Sequence, residues 1–163
     1  VGAQKDILQR YTGKTTEANY IDKAEDFLNS KDEYIAAIKN IIKAEKFIND
    51  VLEYEGVDEM HLGNILISVV EGANNAINHG NSLNPDKNFS LSYGILDTDL
   101  FFTIADQGSG FDFQNIPDPT LPENVGKVSG RGVFIIKNLA DKVYFENNGS
   151  TIIWQFCNVI TAH

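Results

Sequence analysis

Residues 62–81 separate into an apolar side and a polar side when they are wound as a helix. At about 100° per residue, one side carries only apolar residues: Leu62, Ile65, Leu66, Val69, Ala73, Ala76 and Ile77. A sector of roughly 80° on the other side carries only polar residues: Asn64, Ser68, Glu71, Asn75 and Asn78. The pattern predicts a helix that packs one face on a core and ends at Gly80 and Asn81.

The polar side has an unusual composition for a helix face in water. It consists of asparagine, serine and one glutamate, and neither Lys nor Arg occurs between Met60 and Asp86. Asparagine forms helices poorly, so exposed positions seldom favour it. Glu71 and Asn75 are four residues apart and therefore lie on adjacent turns of one face. We interpret the stripe as the lining of a site, with a solvated face as the alternative.

Two glycine-rich segments follow this helix. Residues 106–110 (DQGSG) come directly after the apolar strand of residues 100–105, which leaves the carboxylate of Asp106 at the sheet edge to accept from an amino group. Residues 130–132 (GRG) open an apolar helix, where backbone N–H groups and the helix dipole favour phosphate oxygens. Each segment alone is also typical of an ordinary turn or cap. Their combination with Glu71 and Asn75 is far more specific.

The three segments resemble the nucleotide-binding boxes of the GHKL ATP-binding superfamily, which includes gyrase, a heat-shock chaperone, histidine kinases and mismatch-repair ATPases. Within it, four phrases of the sequence resemble the branch of anti-sigma-factor serine kinases: EGANNAINHGN, DQGSGFD, PDPTLPEN and SGRGVFIIKNLAD. The short segment between the glycine boxes is similar to that branch, whereas histidine kinases commonly carry a longer lid. The resemblance covers residues 26–160.

The resemblance implies an α+β fold of the Bergerat type. This is a two-layer α/β sandwich in which helices cover one face of a mostly antiparallel mixed sheet. It also implies ATP and Mg²⁺ as ligands, with Glu71 as the catalytic base, Asn75 as the Mg²⁺ ligand and Asp106 as the acceptor for the adenine amino group. Further residues are implied in ATP binding: His79, Gly108, Gly110, Gly130, Arg131, Gly132 and Thr151.

The order of the predicted elements leads independently to a similar architecture. Helix, helix, strand, strand, loop, helix, strand and strand imply one helical layer on one mostly antiparallel sheet. Asp58 is predicted to cap the second helix, and the Asn-Asn-Gly at 147–149 predicts a hairpin. Residues 111–129 contain three prolines and no periodicity, so we expect a functional lid. Residues 1–25 are predicted to be a tail, a remnant or part of a first strand, and residues 26–160 the ATP-binding domain.

The composition argues against several classes of function. The net charge of −10, from 13 basic and 23 acidic residues without a basic cluster, disfavours direct nucleic-acid binding. The sequence has no apolar run of 18 residues or more that would cross a membrane, and it starts with no signal-peptide pattern. The single cysteine, Cys157, excludes an internal disulfide. A cytoplasmic protein is expected.

The leading hypothesis is an ATP-dependent serine/threonine protein kinase of the anti-sigma type. Resemblance implies that it phosphorylates an anti-sigma-factor antagonist domain, sequesters a sigma factor and forms a homodimer. One alternative is a partner-switch regulator that binds nucleotide without useful catalysis, against which Glu71 argues because a mere binder has little use for a carboxylate that faces phosphates. The other alternative is the ATP-binding half of a histidine kinase, which would need a phosphoacceptor helix before Asp26.

Overall fold

The computed structural model of the protein describes residues 30–124 and 130–161. The tail, remnant or first strand predicted for residues 1–25 lies outside the described residues. The predicted domain boundary at residue 26 also lies outside them and stays a prediction.

The described residues form three α-helices and four strands in the predicted order. The helices are α1 (Ser30–Tyr54), α2 (Glu59–Asn75) and α3 (Arg131–Leu139). The strands are β1 (Phe89–Leu96), β2 (Asp99–Asp106), β3 (Lys142–Glu146) and β4 (Thr151–Phe156). A π-helical turn, Ala76–Gly80, continues α2, and a 3₁₀ turn, Asn147–Gly149, joins β3 to β4.

The four described strands form one antiparallel sheet in the order β1-β2-β4-β3. The prediction of an α+β fold with a mostly antiparallel sheet is confirmed. In the centre of the sheet, Ala105 near the end of β2 pairs with Thr151 at the start of β4. The end of β2 and the β3–β4 turn therefore lie at the same edge of the sheet.

The core lies between the helices and one face of the sheet. Phe102 and Trp154 are fully buried there, with ring centroids 5.8 Å apart. Gly72 of α2 packs on this layer, because a Cβ atom at position 72 would lie 2.9 Å from Cδ1 of Ile104 and 3.0 Å from Cη2 of Trp154. A glycine at this position lets α2 approach the sheet closely. The close approach brings the end of α2 beside the end of β2.

Ser68 corrects the predicted polar stripe. Its side chain is fully buried, its hydroxyl donates to the carbonyl of Ile65 at 2.8 Å, and it accepts the indole N–H of Trp154 at 3.0 Å. A buried indole needs such a partner, so the polar residue serves the core here. The prediction that Ser68 lines a site with Glu71 and Asn75 was wrong.

The two local turn predictions are confirmed. The side chain of Asp58 accepts from the N–H of Met60 at 3.1 Å, which caps α2. In the hairpin, Asn147, Asn148 and Gly149 all have positive φ, at 52°, 57° and 90°. Asparagine and glycine tolerate this left-handed backbone better than other residues, which explains the Asn-Asn-Gly sequence.

Candidate functional site

A cavity of about 250 Å³ lies where the end of α2, the ends of the two central strands and the start of α3 meet. Pockets for small ligands typically measure about 300–1,000 Å³, so this one lies just below that range. Half of the ten predicted site residues line it: Asn75, His79, Asp106, Gly110 and Gly130. The apolar part of its wall is formed by Ala76, Ile104, Val133 and Ile152.

The other five predicted residues lie next to these residues, outside the lining. Glu71 precedes Asn75 by one turn of α2, and Gly108 follows Asp106 in the glycine loop. Arg131 and Gly132 are the first two residues of α3, and Thr151 is the first of β4. The structure thus brings the three predicted segments together in space.

Asp106 is half-buried at the end of β2 and contacts both the glycine loop and the end of α2. Its Oδ1 accepts the N–H of Gly108 at 2.7 Å, and its carboxylate lies so close to the α-carbon of Gly80 that a Cβ atom there would collide with it. Burial raises the pKa of Asp106, while the Gly108 hydrogen bond and the charge of Lys87 lower it. A partly desolvated carboxylate at a cavity wall is a strong acceptor for an amino group.

The amide of Asn75 lies directly over the α-carbon of Gly132. A Cβ atom at position 132 would be 2.7 Å from Nδ2 and 2.8 Å from Oδ1 of Asn75. Nδ2 is buried and has no hydrogen-bond partner among the described residues. Because buried polar atoms are nearly always paired, an unpaired N–H donor on a residue that lines a cavity marks a place for an acceptor, such as a ligand oxygen or a water.

This site fits Mg²⁺ held jointly with a nucleotide. The described residues contain no group of three His, Cys, Asp or Glu side chains that could hold a metal ion. Mg²⁺ takes oxygen ligands, keeps several waters and is commonly bound through one or two protein groups plus substrate phosphates. One amide oxygen from Asn75 meets that need.

Glu71 is half-buried on α2, on the same face as Asn75 and one turn before it. Burial raises the pKa of its carboxyl group above the ordinary value of 4.5. A raised pKa makes a carboxylate a better proton acceptor near neutral pH. The role of Glu71 as a base stays a prediction, because its side chain is outside the cavity lining.

The start of α3 is suited to anions. Its N-cap is Gly130, with a left-handed φ of 88° and no side chain to bond the first N–H groups. Helix N-termini with such N–H groups are common phosphate sites, and Gly130 lines the cavity. The exposed side chain of Arg131 begins this helix, so it lies beside the same end.

Gly108 and Gly110 let the glycine loop pack closely on its neighbours, and their role in ATP binding stays a prediction. The space of a Cβ atom at each position is filled by protein backbone: the carbonyl of Gly80 for Gly108 and that of Asn148 for Gly110. The N–H of Phe111 donates to the same Asn148 oxygen at 2.9 Å. These glycines therefore let the loop pack against the helix end and the hairpin.

His79 and Thr151 differ in their access to the cavity. His79 lines it from the π-helical turn and is otherwise exposed. Thr151 is buried, and its hydroxyl accepts from Nδ2 of Asn147 in the hairpin at 3.1 Å. The described contact of Thr151 is thus structural, and its role in ATP binding stays a prediction.

Residues 111–124 of the predicted lid are described, and aromatic contacts hold the start of this segment against β3. The rings of Phe113 and Phe145 stack with centroids 4.8 Å apart, and Phe111 meets Phe145 edge-on at 5.8 Å. Nδ2 of the buried Asn124 donates to the carbonyl of Asp118 at 2.9 Å. Residues 111–113 are thus anchored on β3 by aromatic packing, and a lid function of residues 111–129 stays a prediction.

Several cavity residues were missed by sequence reasoning. Gly72, Gly80, Phe111 and Gly149 all line the cavity. Phe111 directly follows the DQGSG motif and Gly80 directly follows His79, so proximity to a motif was the available signal for both. The apolar wall gave no signal, because a strand or helix residue at a cavity has the same pattern as one in the core.

Comparison with known proteins identifies one matching domain family and several similar proteins. A family model described as the histidine kinase-like ATPase domain matches residues 35–156. The serine-protein kinase RsbW of Oceanobacillus iheyensis is 30% identical over 106 residues, which span 61% of this chain and 64% of that protein. The proteins of the same name from Listeria innocua and Bacillus subtilis are 25% and 27% identical, over 64% and 53% of this chain and 69% and 58% of their own. The chain thus covers less than two thirds of the Oceanobacillus protein.

Within residues 30–124 and 130–161, none of the helices has the length and apolar character needed to cross a membrane.

Proposed function

The chain belongs to the histidine kinase-like ATPase domain family, and we propose that it binds Mg·ATP and transfers the terminal phosphate to a serine or threonine of a protein. The observation that carries the proposal is the meeting of Asn75, Asp106 and Gly130 at one cavity. A metal ligand, a base acceptor and a phosphate-binding helix end are the three parts that a nucleotide site needs. Relatives named serine-protein kinases support the reaction class.

Each part binds a different portion of the nucleotide. The carboxylate of Asp106 accepts from the amino group of adenine, which excludes guanine because its O6 would repel the carboxylate. The N-terminus of α3, with Gly130, Arg131 and Gly132, holds phosphate oxygens through backbone N–H groups and its dipole. Asn75 presents an oxygen to Mg²⁺, which neutralises phosphate charge when it is bound.

In the proposed transfer step, Glu71 is the base that acts on the attacking hydroxyl. Its carboxylate takes the proton as the hydroxyl oxygen bonds to the terminal phosphorus, and the bond from that phosphorus to the bridging oxygen breaks to release ADP. Phosphoryl transfer depends mainly on positioning and charge neutralisation, so the base contributes only part of the rate. The raised pKa of Glu71 makes its carboxylate a better proton acceptor for this step.

The proposed partners follow from the resemblance to anti-sigma-factor kinases. The substrate is an antagonist domain, the regulated target is a sigma factor, the active form is a homodimer and the location is the cytoplasm. The net charge of −10 is consistent with protein partners and unfavourable for direct nucleic-acid binding.

One observation favours a second candidate, a partner-switch regulator that binds ATP without useful transfer. Glu71 is near the cavity but does not line it, so a nucleotide could occupy the cavity without contact to this carboxylate. In this case the nucleotide would order the chain for a partner, and no phosphate would move.

Incubation with ATP labelled at the terminal phosphate and with candidate antagonist domains from the same genome tests the proposal. We expect label on a serine or threonine of one antagonist, dependent on Mg²⁺. Micromolar or tighter ATP binding without transfer to any antagonist would favour the regulator. Failure to bind ATP would remove both candidates.

A further inference from the structure

Asn81 is a buried polar residue directly after the π-helical turn, with 3% of the residue exposed. Its Oδ1 accepts the backbone N–H of Gln107 at 2.9 Å, and its Nδ2 donates to the carbonyl of Asn88 at 2.9 Å. Gln107 immediately follows Asp106, so one of these bonds fixes the backbone next to the proposed base acceptor. The other bond fixes the segment that enters β1.

Further bonds complete the connection between the helix end and the end of β2. Oε1 of Gln107 accepts the N–H of Asn88 at 2.8 Å. On the opposite side, the N–H of Asp106 donates to the carbonyl of Ser150 at 2.9 Å. Asp106 is thus held through its own N–H by Ser150, the residue before β4, and through the next peptide by Asn81.

We infer that Asn81 is a positioning residue for base recognition, acting through the peptide of Gln107 on the carboxylate of Asp106. The inference rests on the proposed function, in which Asp106 accepts from the adenine amino group. Asn81 is not one of the described residues that line the cavity. Its effect on base recognition is therefore transmitted through the backbone. Gly80, the residue before Asn81, contacts the Asp106 carboxylate. The segment that carries Asn81 therefore packs directly against the side chain of Asp106.

A matched control comes from Gln155 at the other end of the sheet. Its side chain is also buried, with 5% exposed, and its Nε2 donates to Oδ2 of Asp99 at 2.6 Å. It pairs with Phe101 near the start of β2, whereas Asp106 ends this strand. Gln155→Ala and Asn81→Ala each remove a buried amide and its bonds, but only the second lies beside Asp106.

The experiment compares ATP with purine riboside 5′-triphosphate, which is ATP without the amino group. Dissociation constants for both nucleotides are measured by calorimetry in Mg²⁺ for the wild type, Asn81→Ala and Gln155→Ala. For Asn81→Ala we expect a loss of roughly tenfold in the preference for ATP, as for one weakened hydrogen bond to a charged group. Affinity for the analogue should change by less than about threefold, and Gln155→Ala should retain the full preference.

Measuring Asn81→Ala in a protein that also carries Asp106→Asn distinguishes positioning of Asp106 from a general loss of stability. If Asn81 acts through Asp106, Asn81→Ala should change the preference little once Asp106 is replaced, as expected for residues that act as one unit. Should Asn81→Ala not fold, Asn81→Ser replaces it, because its shorter hydroxyl cannot reach both partners. A wild-type preference in the Asn81 variant, or an equal loss in Gln155→Ala, would overturn the inference. A wild type without preference would instead remove the assignment of Asp106.

Discussion

Replacement of Gly132 by alanine should displace the amide of Asn75 and leave the fold intact. The new Cβ atom would lie 2.7 Å from Nδ2 and 3.0 Å from Cγ of Asn75, where ordinary contact begins at 3.4 Å. The amide must therefore recede by about 0.7 Å, the difference between 3.4 and 2.7 Å. The obstructing atoms are the end of a side chain, so the backbone of α3 has no need to move.

The structure sets the size of the expected effects. Crowding in a packed site costs about 1–3 kcal/mol, and alanine gains roughly 0.8–1.0 kcal/mol over glycine in a helix. The free energy of unfolding should thus fall by no more than about 2 kcal/mol. Mg²⁺ demands near-ideal geometry, and a misplacement of about 1 Å at a reacting centre costs roughly 10²-fold in rate. We expect a loss of roughly 10- to 100-fold in Mg²⁺-dependent phosphotransfer.

The assay measures phosphotransfer, ATP affinity with and without Mg²⁺, and the unfolding midpoint. Gly63→Ala is the matched control, because Gly63 also lies in a helix and a Cβ atom there meets nothing within 4 Å. This control should raise stability by roughly 0.5–1 kcal/mol and leave Mg·ATP binding unchanged. Gly132→Ala with wild-type transfer and wild-type Mg²⁺ dependence would refute the role given to Asn75.

Three further predictions concern the base acceptor, the buried glutamate and the lid. Asp106→Asn should weaken ATP binding by roughly 10- to 150-fold, because it loses a charge-assisted hydrogen bond of about 1.5–3 kcal/mol; calorimetry that finds equal ATP and GTP affinity in the wild type would contradict the assignment. Because burial raises the pKa of Glu71, its ionisation costs stability as pH rises through the raised value. Glu71→Gln should therefore raise the unfolding midpoint at pH 7 but not at about pH 3, where Glu71 is protonated in the folded and unfolded states alike. Equal shifts at both pH values would argue against desolvation. Phe113→Ala removes the ring stacked on Phe145, so amide hydrogens of residues 111–124 should exchange faster, whereas unchanged exchange would show that the stack is not the anchor.

The fold followed from the sequence where its causes are local. The Asp58 cap depends on residues two apart, and the hairpin depends on three adjacent residues that tolerate positive φ. The apolar face of α2 depends on helical periodicity alone. These features do not require knowledge of what packs on them.

Prediction failed where a distant residue decides the role of a near one. Ser68 has the helical position of a site residue, but its hydroxyl is the partner of an indole 86 residues later in the chain. The contact of Gly110 with the hairpin carbonyl of Asn148, which fills the space of a Cβ atom, likewise could not be read from the motif. A one-dimensional pattern indicates that a residue type matters and cannot state which neighbour requires it.

In the candidate site too, local motifs could be predicted and contacts between distant residues could not. Motif spacing selected Asn75 and Asp106, and both line the cavity; their roles as metal ligand and base acceptor stay predictions. The connection of Asn81 to Gln107 joins residues 26 apart across a turn and a strand pair. Such a connection appears only after the chain has folded.

The most direct test of the proposed kinase activity measures Glu71→Gln in parallel for ATP affinity and for transfer to the antagonist. Glu71→Gln should bind Mg·ATP within a few-fold of the wild type and transfer phosphate roughly 10²- to 10⁴-fold more slowly, with the low end favoured because positioning dominates this chemistry. Transfer at the wild-type rate by Glu71→Gln would contradict the assignment of the base and the mechanism built on it.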